Sequence, residues 1–289
     1  VIDHPGAFQV LDFAEGKIRM VGVKTKPQGF LVDNPISALH DHLGNEKVRI
    51  AAIYREGKML APEGNTIIKA GDEVYFIAAP DDIDNMITEF NQDQEEANNI
   101  VIAGGGRIGL KLASRLEENN NVKLIEKSTE RAKILAEQLD TTIVLKGDSS
   151  DDVLLKEENI ENNDVFVATT NSEEANILSA MVAKKMGSKK VMALINKDSF
   201  SGLMETDSID IAISAEQITI SALLSHVRKG DVVKVHSLKR GNAEALEAVA
   251  HTHESSQVVG KSIEEIKLPE GAFITAIVSN EGEIKTVHH

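Results

Sequence analysis

Cysteine and tryptophan are absent from this 289-residue sequence, and aromatic residues make up only 3% of it. Without cysteine the chain has neither disulfides nor thiolate metal ligands, which is typical of a reducing compartment. So few aromatic residues argue against a surface that stacks nucleic-acid bases. Positive charge is also scarce: the net charge of −15 argues against binding to nucleic acid or to an anionic membrane surface.

Long hydrophobic runs are missing too, since no apolar stretch approaches the ~18 residues that a membrane-spanning helix needs. Hydrophobic residues make up 42% and charged residues 27% of the chain, which is the composition of an ordinary globular protein. A chain of 289 residues is long for one hydrophobic core, and we expect two or three domains.

The clearest pattern present is a glycine turn between a short apolar run and a stretch with helical periodicity. The run Gly104-Gly105-Gly106-Arg107-Ile108-Gly109 fits G-x-G-x-x-G, and a second apolar run ends at Glu126. The first glycine allows a tight turn, the second lets the backbone approach a pyrophosphate, and the third lets helix and strand pack closely. An acid about 20 residues further on accepts from the ribose hydroxyls. The stretch therefore predicts a nucleotide site, with a purely structural glycine turn as the alternative.

Strands and helices alternate from residue 98 to residue 228, which favours a parallel sheet with right-handed crossovers. Ligands of such sheets lie across the carboxyl ends of the strands. The glycine turn, Glu126, Asp148 and Thr169–Thr170 all fall at predicted strand ends. The predicted fold class is α/β, a doubly wound parallel Rossmann sheet flanked by two small α+β domains.

The domain prediction rests on a repeat around this sheet. Asp231–Leu238 parallels Lys17–Val23, and Ala272–Val278 parallels Val48–Tyr54. The predicted parts are a remnant of a preceding Rossmann domain (1–13), a small α+β domain (14–90), the Rossmann nucleotide-binding domain (98–228) and a second small α+β domain, incomplete at its C-terminal end (229–289). We expect a longer parent protein with two such pairs in tandem.

Four motifs identify a family resemblance: IVIAGGGRIG, the Gly147-Asp148 pair, VATTNSEEAN and IIKAGDEVYFI. They resemble the TrkA family, peripheral nucleotide-binding subunits of bacterial potassium-uptake systems, and the resemblance covers essentially the whole chain. It implies a non-catalytic cytoplasmic subunit at the inner face of the membrane. That subunit would bind NAD(H), with ADP or ATP as alternatives, and gate a membrane-embedded potassium transporter as a dimeric or tetrameric ring.

The resemblance also implies a set of binding residues. The glycine turn would hold the pyrophosphate with Arg107, Glu126 would hold the ribose, Asp148 would lie by the adenine, and the residues after the fourth strand would form the floor. Related domains often carry Ala-Arg after the fifth strand, where this chain has Ile195-Asn196; the missing cation favours a diphosphate over a triphosphate. The full set is Gly104, Gly105, Gly106, Arg107, Ile108, Gly109, Glu126, Asp148, Ala168, Thr169, Thr170 and Asn196.

Other interpretations stay open at this point. Asp148 is alternatively a simple turn residue, Thr169 and Thr170 cap the next helix, and Arg107 is an exposed helix residue. For the whole chain the alternatives are an NAD-dependent oxidoreductase with accessory domains and a regulator of another cation transporter. We predict no catalytic residue and no metal site, and we expect the helix at residues 215–228 to bury its apolar side in a homo-oligomer.

Overall fold

The computed structural model describes residues 1–39, 48–60, 62–91, 97–196, 208–227, 231–238, 243–252, 256, 258–269, 271–279, 281 and 283–287. The chain forms two compact units. One contains Val1, Gly6–Gln94 and Ile220–His289, and the other contains Ile2–Pro5 and Glu95–Thr219.

The first unit contains an antiparallel five-stranded sheet in the order β1-β2-β5-β3-β4. Helix α1 (Ile83–Phe90) follows the last of these strands. Its apolar residues recur at positions i, i+3, i+4 and i+7, so one face is buried in the core on one side of the sheet. The strands are β1 (Ala7–Phe13), β2 (Ile18–Lys24), β3 (Arg49–Arg55), β4 (Lys58–Leu60) and β5 (Glu73–Ala78).

Two features of this unit differ from the prediction. The sequence assigns residues 1–13 to a remnant of a preceding domain, but Ala7–Phe13 is an edge strand of this sheet, paired with β2. The sequence from residue 34 to residue 39 also predicts a short helix with Asn34 as cap and Pro35 at its first position; residues 38 and 39 are helical, and the difference concerns how the segment begins. Pro35 instead forms an antiparallel bridge with Ile67, and the Asn34 amide donates to the Phe30 carbonyl at 2.6 Å. A proline ring is compatible with this extended bridge because the N–H that it lacks is not needed there.

The second unit has a six-stranded sheet in the order β8-β7-β6-β9-β10-β11, with every pair parallel. The predicted α/β fold class is confirmed. The central strands read as continuous apolar runs because both faces of the sheet are covered. The elements in chain order are β6 (Asn99–Ala103), α2 (Arg107–Leu116), β7 (Asn121–Glu126), α3 (Thr129–Gln138), β8 (Ile143–Lys146), α4 (Asp152–Glu157), β9 (Val165–Ala168), α5 (Glu173–Lys185), β10 (Lys190–Leu194) and β11 (Ile211–Ile213).

The strand order reverses between β6 and β9, and this switch point positions the candidate site. The peptide chain leaves β6 into the turn that precedes α2 and leaves β9 into the loop that precedes α5. Both connections therefore lie at the carboxyl edge of the sheet, side by side. After β11 the chain continues as helix α6 (Ala215–Val227).

The repeat is visible in the first unit as two hairpins of the same register. They are β1–β2 and β12–β13, the latter formed by Val232–Leu238 and Ala243–Ala248. Each residue pair of the second hairpin has a counterpart in the first, and the residue numbers differ by 225: Val232↔Ala248, for example, corresponds to Ala7↔Val23. Both hairpins also have a register shift at the same place. The sequence alignment of Asp231–Leu238 with Lys17–Val23 is thus wrong by one strand, since β12 corresponds to β1. A short hairpin of β14 (Ala276–Val278) and β15 (Ile284–Thr286) follows.

The two repeated hairpins contact each other reciprocally. The Gln9 amide donates to the Ser237 carbonyl at 3.0 Å, and the Lys234 ammonium donates to the Asp12 carbonyl at 2.8 Å. Because 234 and 237 correspond to 9 and 12, these two contacts are related by a local pseudo-two-fold. A shared apolar cluster supports the pairing, with residues of the five-stranded sheet on one side and Leu238 and Ala245 on the other.

Candidate functional site

The glycine turn between β6 and α2 needs its first glycine for conformational reasons. Gly104 has a backbone φ of +100°, a conformation that residues other than glycine rarely adopt. Its N–H donates to the Ile125 carbonyl at 2.9 Å, so the turn is tied to the end of β7. A Cβ at Gly104 would lie 2.8 Å from the Thr170 amide nitrogen, which shows how closely the loop after β9 approaches.

The remaining glycines of the motif fall into two classes. A Cβ at Gly109 would lie 1.9 Å from the Gly104 carbonyl oxygen, and one at Gly105 would lie 2.2 Å from Cδ1 of Leu135. Close packing against backbone therefore excludes a side chain at Gly109, whereas at Gly105 a side chain would require the buried Leu135 to shift. Gly106 is different because a Cβ there meets no atom within 4 Å. The protein's own packing gives no reason for glycine at this exposed position.

Glu126 forms part of the turn as well as the end of β7. Its Oε2 accepts from the Gly105 N–H at 2.9 Å, and its Oε1 accepts from the Ser128 N–H at 2.7 Å. A carboxylate oxygen has two lone pairs, so each oxygen keeps the capacity to accept one further hydrogen bond. The sequence predicts Glu126 as a ribose ligand, and the structure adds a role in fixing the turn.

The sequence missed Arg131, which lies in the first turn of α3. Its Nε donates to the Gly105 carbonyl at 2.8 Å, and the side chain is half-buried. The two peptide units that flank Gly105 are thus each held by one side chain: Glu126 accepts from the Gly105 N–H, and Arg131 donates to the Gly105 C=O. The signal available in the sequence is a basic residue near a helix N-terminus, where the helix dipole disfavours positive charge.

The N-terminus of α2 differs from those of the next three helices in this unit. Side chains cap α3, α4 and α5, namely Ser128, Asp151 and Ser172. Helix α2 begins at Arg107 with Gly106 as its N-cap and has no side-chain cap. Its first N–H groups, which no helical carbonyl accepts, are oriented towards the glycine turn. Arg107 and Ile108 are both exposed there, Ile108 to 46%.

Asp148 follows β8 and has local partners for both carboxylate oxygens. Oδ1 accepts from the Ser150 N–H at 3.0 Å and from its hydroxyl at 2.7 Å, and Oδ2 pairs with the Lys127 ammonium at 2.9 Å. The backbone hydrogen bond from Ser150, followed by the Lys127 and Ser150 side chains, lowers the pKa of Asp148 to about 2. The preceding residue, Gly147, donates its N–H to the Glu126 carbonyl at 3.0 Å, so Asp148 lies at the same edge of the sheet.

The loop after β9 closes the other side of the turn. Ala168 is fully buried, and Thr169 donates its N–H to the Ala103 carbonyl at 2.7 Å. Thr170 donates its N–H and its hydroxyl to Oδ1 of Asn176, both at 2.7 Å. The helix-capping role suggested for these threonines belongs to Ser172 instead.

Asn176 is a second residue that the sequence analysis did not select. It is 1% exposed, and its Nδ2 donates to the Leu194 carbonyl at 2.9 Å and the Thr170 carbonyl at 3.2 Å. A buried amide with all these partners fixes the loop after β9 against the end of β10. The motif VATTNSEEAN contains it, and a polar residue on the buried face of α5 is the signal that would have found it.

The structure therefore places the predicted residues at the strand ends and the following turns on one edge of the sheet, and direct contacts join Gly105 to Glu126 and Gly104 to Thr169. Asn196 follows β10 at the same edge, and its Oδ1 accepts from the Glu216 N–H at 3.4 Å, at the start of α6. Among the residues described, no helix is long and apolar enough to cross a membrane. The same part of the chain contains no cluster of three or more potential metal ligands.

Comparison with known proteins gives a consistent assignment. Residues 21–91 match the TrkA-C domain, and residues 100–215 match the TrkA-N domain. The Trk system potassium uptake protein TrkA of Vibrio alginolyticus is 51% identical over 289 residues, and that of Halomonas elongata is 47% identical. Both alignments cover 100% of this chain and 63% of the relative, so the chain spans somewhat under two thirds of these proteins. Their names are those of potassium uptake proteins and not of enzymes, in agreement with the prediction.

Solved structures agree on the fold. The GsuK RCK domain superposes with a TM-score of 0.54 at 16% identity, covering 77% of this chain and 48% of that one. The GsuK channel bound to NAD gives a TM-score of 0.53 at 15% identity, covering 77% and 40%. At such low identity the likeness concerns the fold alone. From the two matching domains and the close relatives, the chain belongs to the TrkA family.

Proposed function

We propose that the chain is the nucleotide-sensing part of a potassium-uptake regulator. It binds NAD(H) at the glycine turn without reacting with it, and occupancy of the site alters a membrane-embedded potassium transporter. The names of the relatives support the potassium-uptake context. A solved channel with this fold, the GsuK channel bound to NAD, supports the choice of ligand.

The observation that carries the proposal is the position of Gly106. Packing or a positive φ accounts for the other three glycines of the motif, but in the described part of the chain neither of these accounts for Gly106. Gly106 is the N-cap of a helix without a side-chain cap. A pyrophosphate that approaches the backbone there and accepts from the first N–H groups of α2 accounts for both features.

Two side chains decide which nucleotide fits. Glu126 carries a negative charge at the ribose position, which disfavours the 2′-phosphate of NADP. Asn196 supplies no cation where related domains often carry arginine, so a third phosphate has no counter-charge from that strand end. We therefore place NAD(H) first, ahead of ADP and ATP.

Regulation follows from differential affinity. A ligand shifts a conformational equilibrium only by the difference in its affinity for the two states. We propose that these states belong to a homo-oligomer, a dimer or a tetrameric ring, on the cytoplasmic face of the membrane. Apolar side chains exposed on α6 support assembly through this helix: Ile218 is 62% exposed, Ile220 46% and Leu223 60%.

Calorimetric titration of the full chain with NADH, NAD, NADP, ADP and ATP tests the proposal. We expect the wild type to prefer NADH or NAD over NADP. Glu126→Gln is expected to weaken NAD binding and to narrow the preference over NADP, because the charge is lost while one carbonyl oxygen remains for the turn. A wild type that binds none of these nucleotides, or that steadily oxidises NADH in the presence of metabolites, contradicts the proposal.

A further inference from the structure

Arg131 is an arginine held at the edge of the glycine turn by a backbone carbonyl. Its Nε is used by the Gly105 carbonyl at 2.8 Å, which leaves four N–H donors on the two terminal nitrogens. Within the described part of the chain no carboxylate forms an ion pair with it. The nearby Glu126 directs its two oxygens to the backbone amides of Gly105 and Ser128 instead.

Helix stability does not explain an arginine at this place. Arg131 is the third residue of α3, where the helix dipole disfavours a positive side chain. Its contact with Gly105 spans 26 residues of sequence and fixes the direction of the guanidinium. A half-buried side chain that has lost rotamer freedom and retains free donors is pre-organised for an anionic ligand.

The charges around the turn indicate which anion fits. Arg131 contacts the Gly105 carbonyl, and Arg107 is exposed at the start of α2, two residues after that glycine. Lys127, directly after Glu126, is also basic, but its ammonium pairs with Asp148 at 2.9 Å. The two arginines match the two negative charges of a diphosphate diester.

We propose that Arg131 is a diphosphate-binding residue of the glycine-turn site and, together with Arg107, makes the site favour a diphosphate over a monophosphate. The inference rests on the proposed function, since it concerns the same site. It assigns to the first turn of α3 the cation that the segment after β10 lacks. It also makes Gly105 the structural link that positions this cation.

The experiment is calorimetric titration of the full chain with adenosine, AMP, ADP and NAD at two salt concentrations. The variants are wild type, Arg131→Gln, Arg131→Lys and Arg115→Gln. Arg115 is the matched control because it is exposed and lies eight residues beyond Arg107 on α2, about 12 Å along the helix. Thermal unfolding of each variant reports on the integrity of the turn.

For the wild type we expect ADP and NAD to bind more tightly than AMP, and AMP more tightly than adenosine. Arg131→Gln is expected to lower the affinity for ADP and NAD about tenfold or more, to leave adenosine nearly unchanged and to reduce the salt dependence. Arg131→Lys retains the charge without the forked geometry and is expected to fall between the two. Arg115→Gln is expected to behave as wild type.

The outcomes separate the two proposals. A wild type that binds no nucleotide overturns both. A wild type that binds ADP, with an Arg131→Gln variant of equal affinity, overturns only the role of Arg131. If Arg131→Gln loses equal affinity for adenosine and for ADP, the residue only supports the turn. If Arg115→Gln loses as much ADP affinity as Arg131→Gln, the effect is one of overall charge. Either result overturns the assignment.

Discussion

Replacing Gly106 by alanine is expected to weaken nucleotide binding while leaving the fold intact. The backbone there has φ −66° and ψ −169°, an extended conformation that alanine adopts without strain. A Cβ meets no atom within 4 Å, so no packing is disturbed. Losing glycine at an N-cap costs roughly 0.5–1 kcal/mol, and the smaller entropy of the unfolded chain offsets about 0.4–1 kcal/mol of it. We expect the free energy of unfolding to change by less than about 0.5 kcal/mol.

Binding is expected to respond differently, because under the proposed function the new methyl group lies on the side of the turn that the pyrophosphate approaches. Displacing the phosphate from one backbone N–H loses a hydrogen bond to a charged group, about 1.5–3 kcal/mol. The dissociation constant for NADH should therefore rise about tenfold to a hundredfold. Calorimetric titration measures the affinity, and urea unfolding of the same preparation measures the stability.

Gly109→Ala is the matched control because it adds the same methyl group three residues further along. Its Cβ would lie 1.9 Å from the Gly104 carbonyl oxygen and 3.1 Å from the Thr169 hydroxyl. Helix and turn must move apart, so we expect a loss of at least about 1–3 kcal/mol of stability together with weaker binding. If Gly106→Ala binds NADH as tightly as the wild type, the pyrophosphate does not lie over Gly106 and the reasoning is refuted.

Three further predictions concern charge. Arg55 donates two hydrogen bonds, of 2.8 and 2.7 Å, to Asp72, whose side chain is 1% exposed, and Arg55→Met removes both. Urea unfolding should show that the free energy of unfolding falls by about 3–5 kcal/mol, because a buried carboxylate loses its partner. A change below about 1 kcal/mol contradicts this prediction. Burial, followed by Lys234, lowers the pKa of His236, so its neutral form stabilises the fold above pH ~6.5 and that contribution is lost as the pH falls. His236→Leu introduces the residue found at the equivalent position 11. Its free energy of unfolding should rise relative to that of the wild type as the pH falls from 7.5 to 5.5, and a difference that stays constant with pH refutes this. Asp148→Asn should be less stable than wild type at pH 7, and the difference should shrink as the pH falls from 3.8 towards the lowered pKa of about 2; a difference independent of pH speaks against it.

The parts of the site that the sequence predicts are those set by neighbours along the chain. The glycine spacing, the apolar run of β6 and the acid at the end of β7 lie within one strand–helix–strand unit, and each has a local signature. Arg131 has only a weak one, a basic residue where the helix dipole disfavours positive charge, because its role depends on the distance between α3 and Gly105 in the folded domain. Asn176 is similar, since its partners Thr170 and Leu194 belong to different strand ends.

The hairpin repeat shows the same limit at the level of the fold. Strand β13 consists only of alanine, glutamate and leucine (AEALEA), residues that favour a helix when judged by intrinsic propensity. Its strand conformation comes from pairing with β12 in the register that β1 and β2 also use. Pairing between strands therefore overrides the preference of the individual residues, and it also places residues 7–13 in the sheet of the first unit. A sequence alignment compares residue types alone, whereas the constant displacement of 225 residues appears only when both partners of each pair are compared. The feature that the two copies share is the pairing of two strands, which explains why weak sequence similarity matched the wrong one.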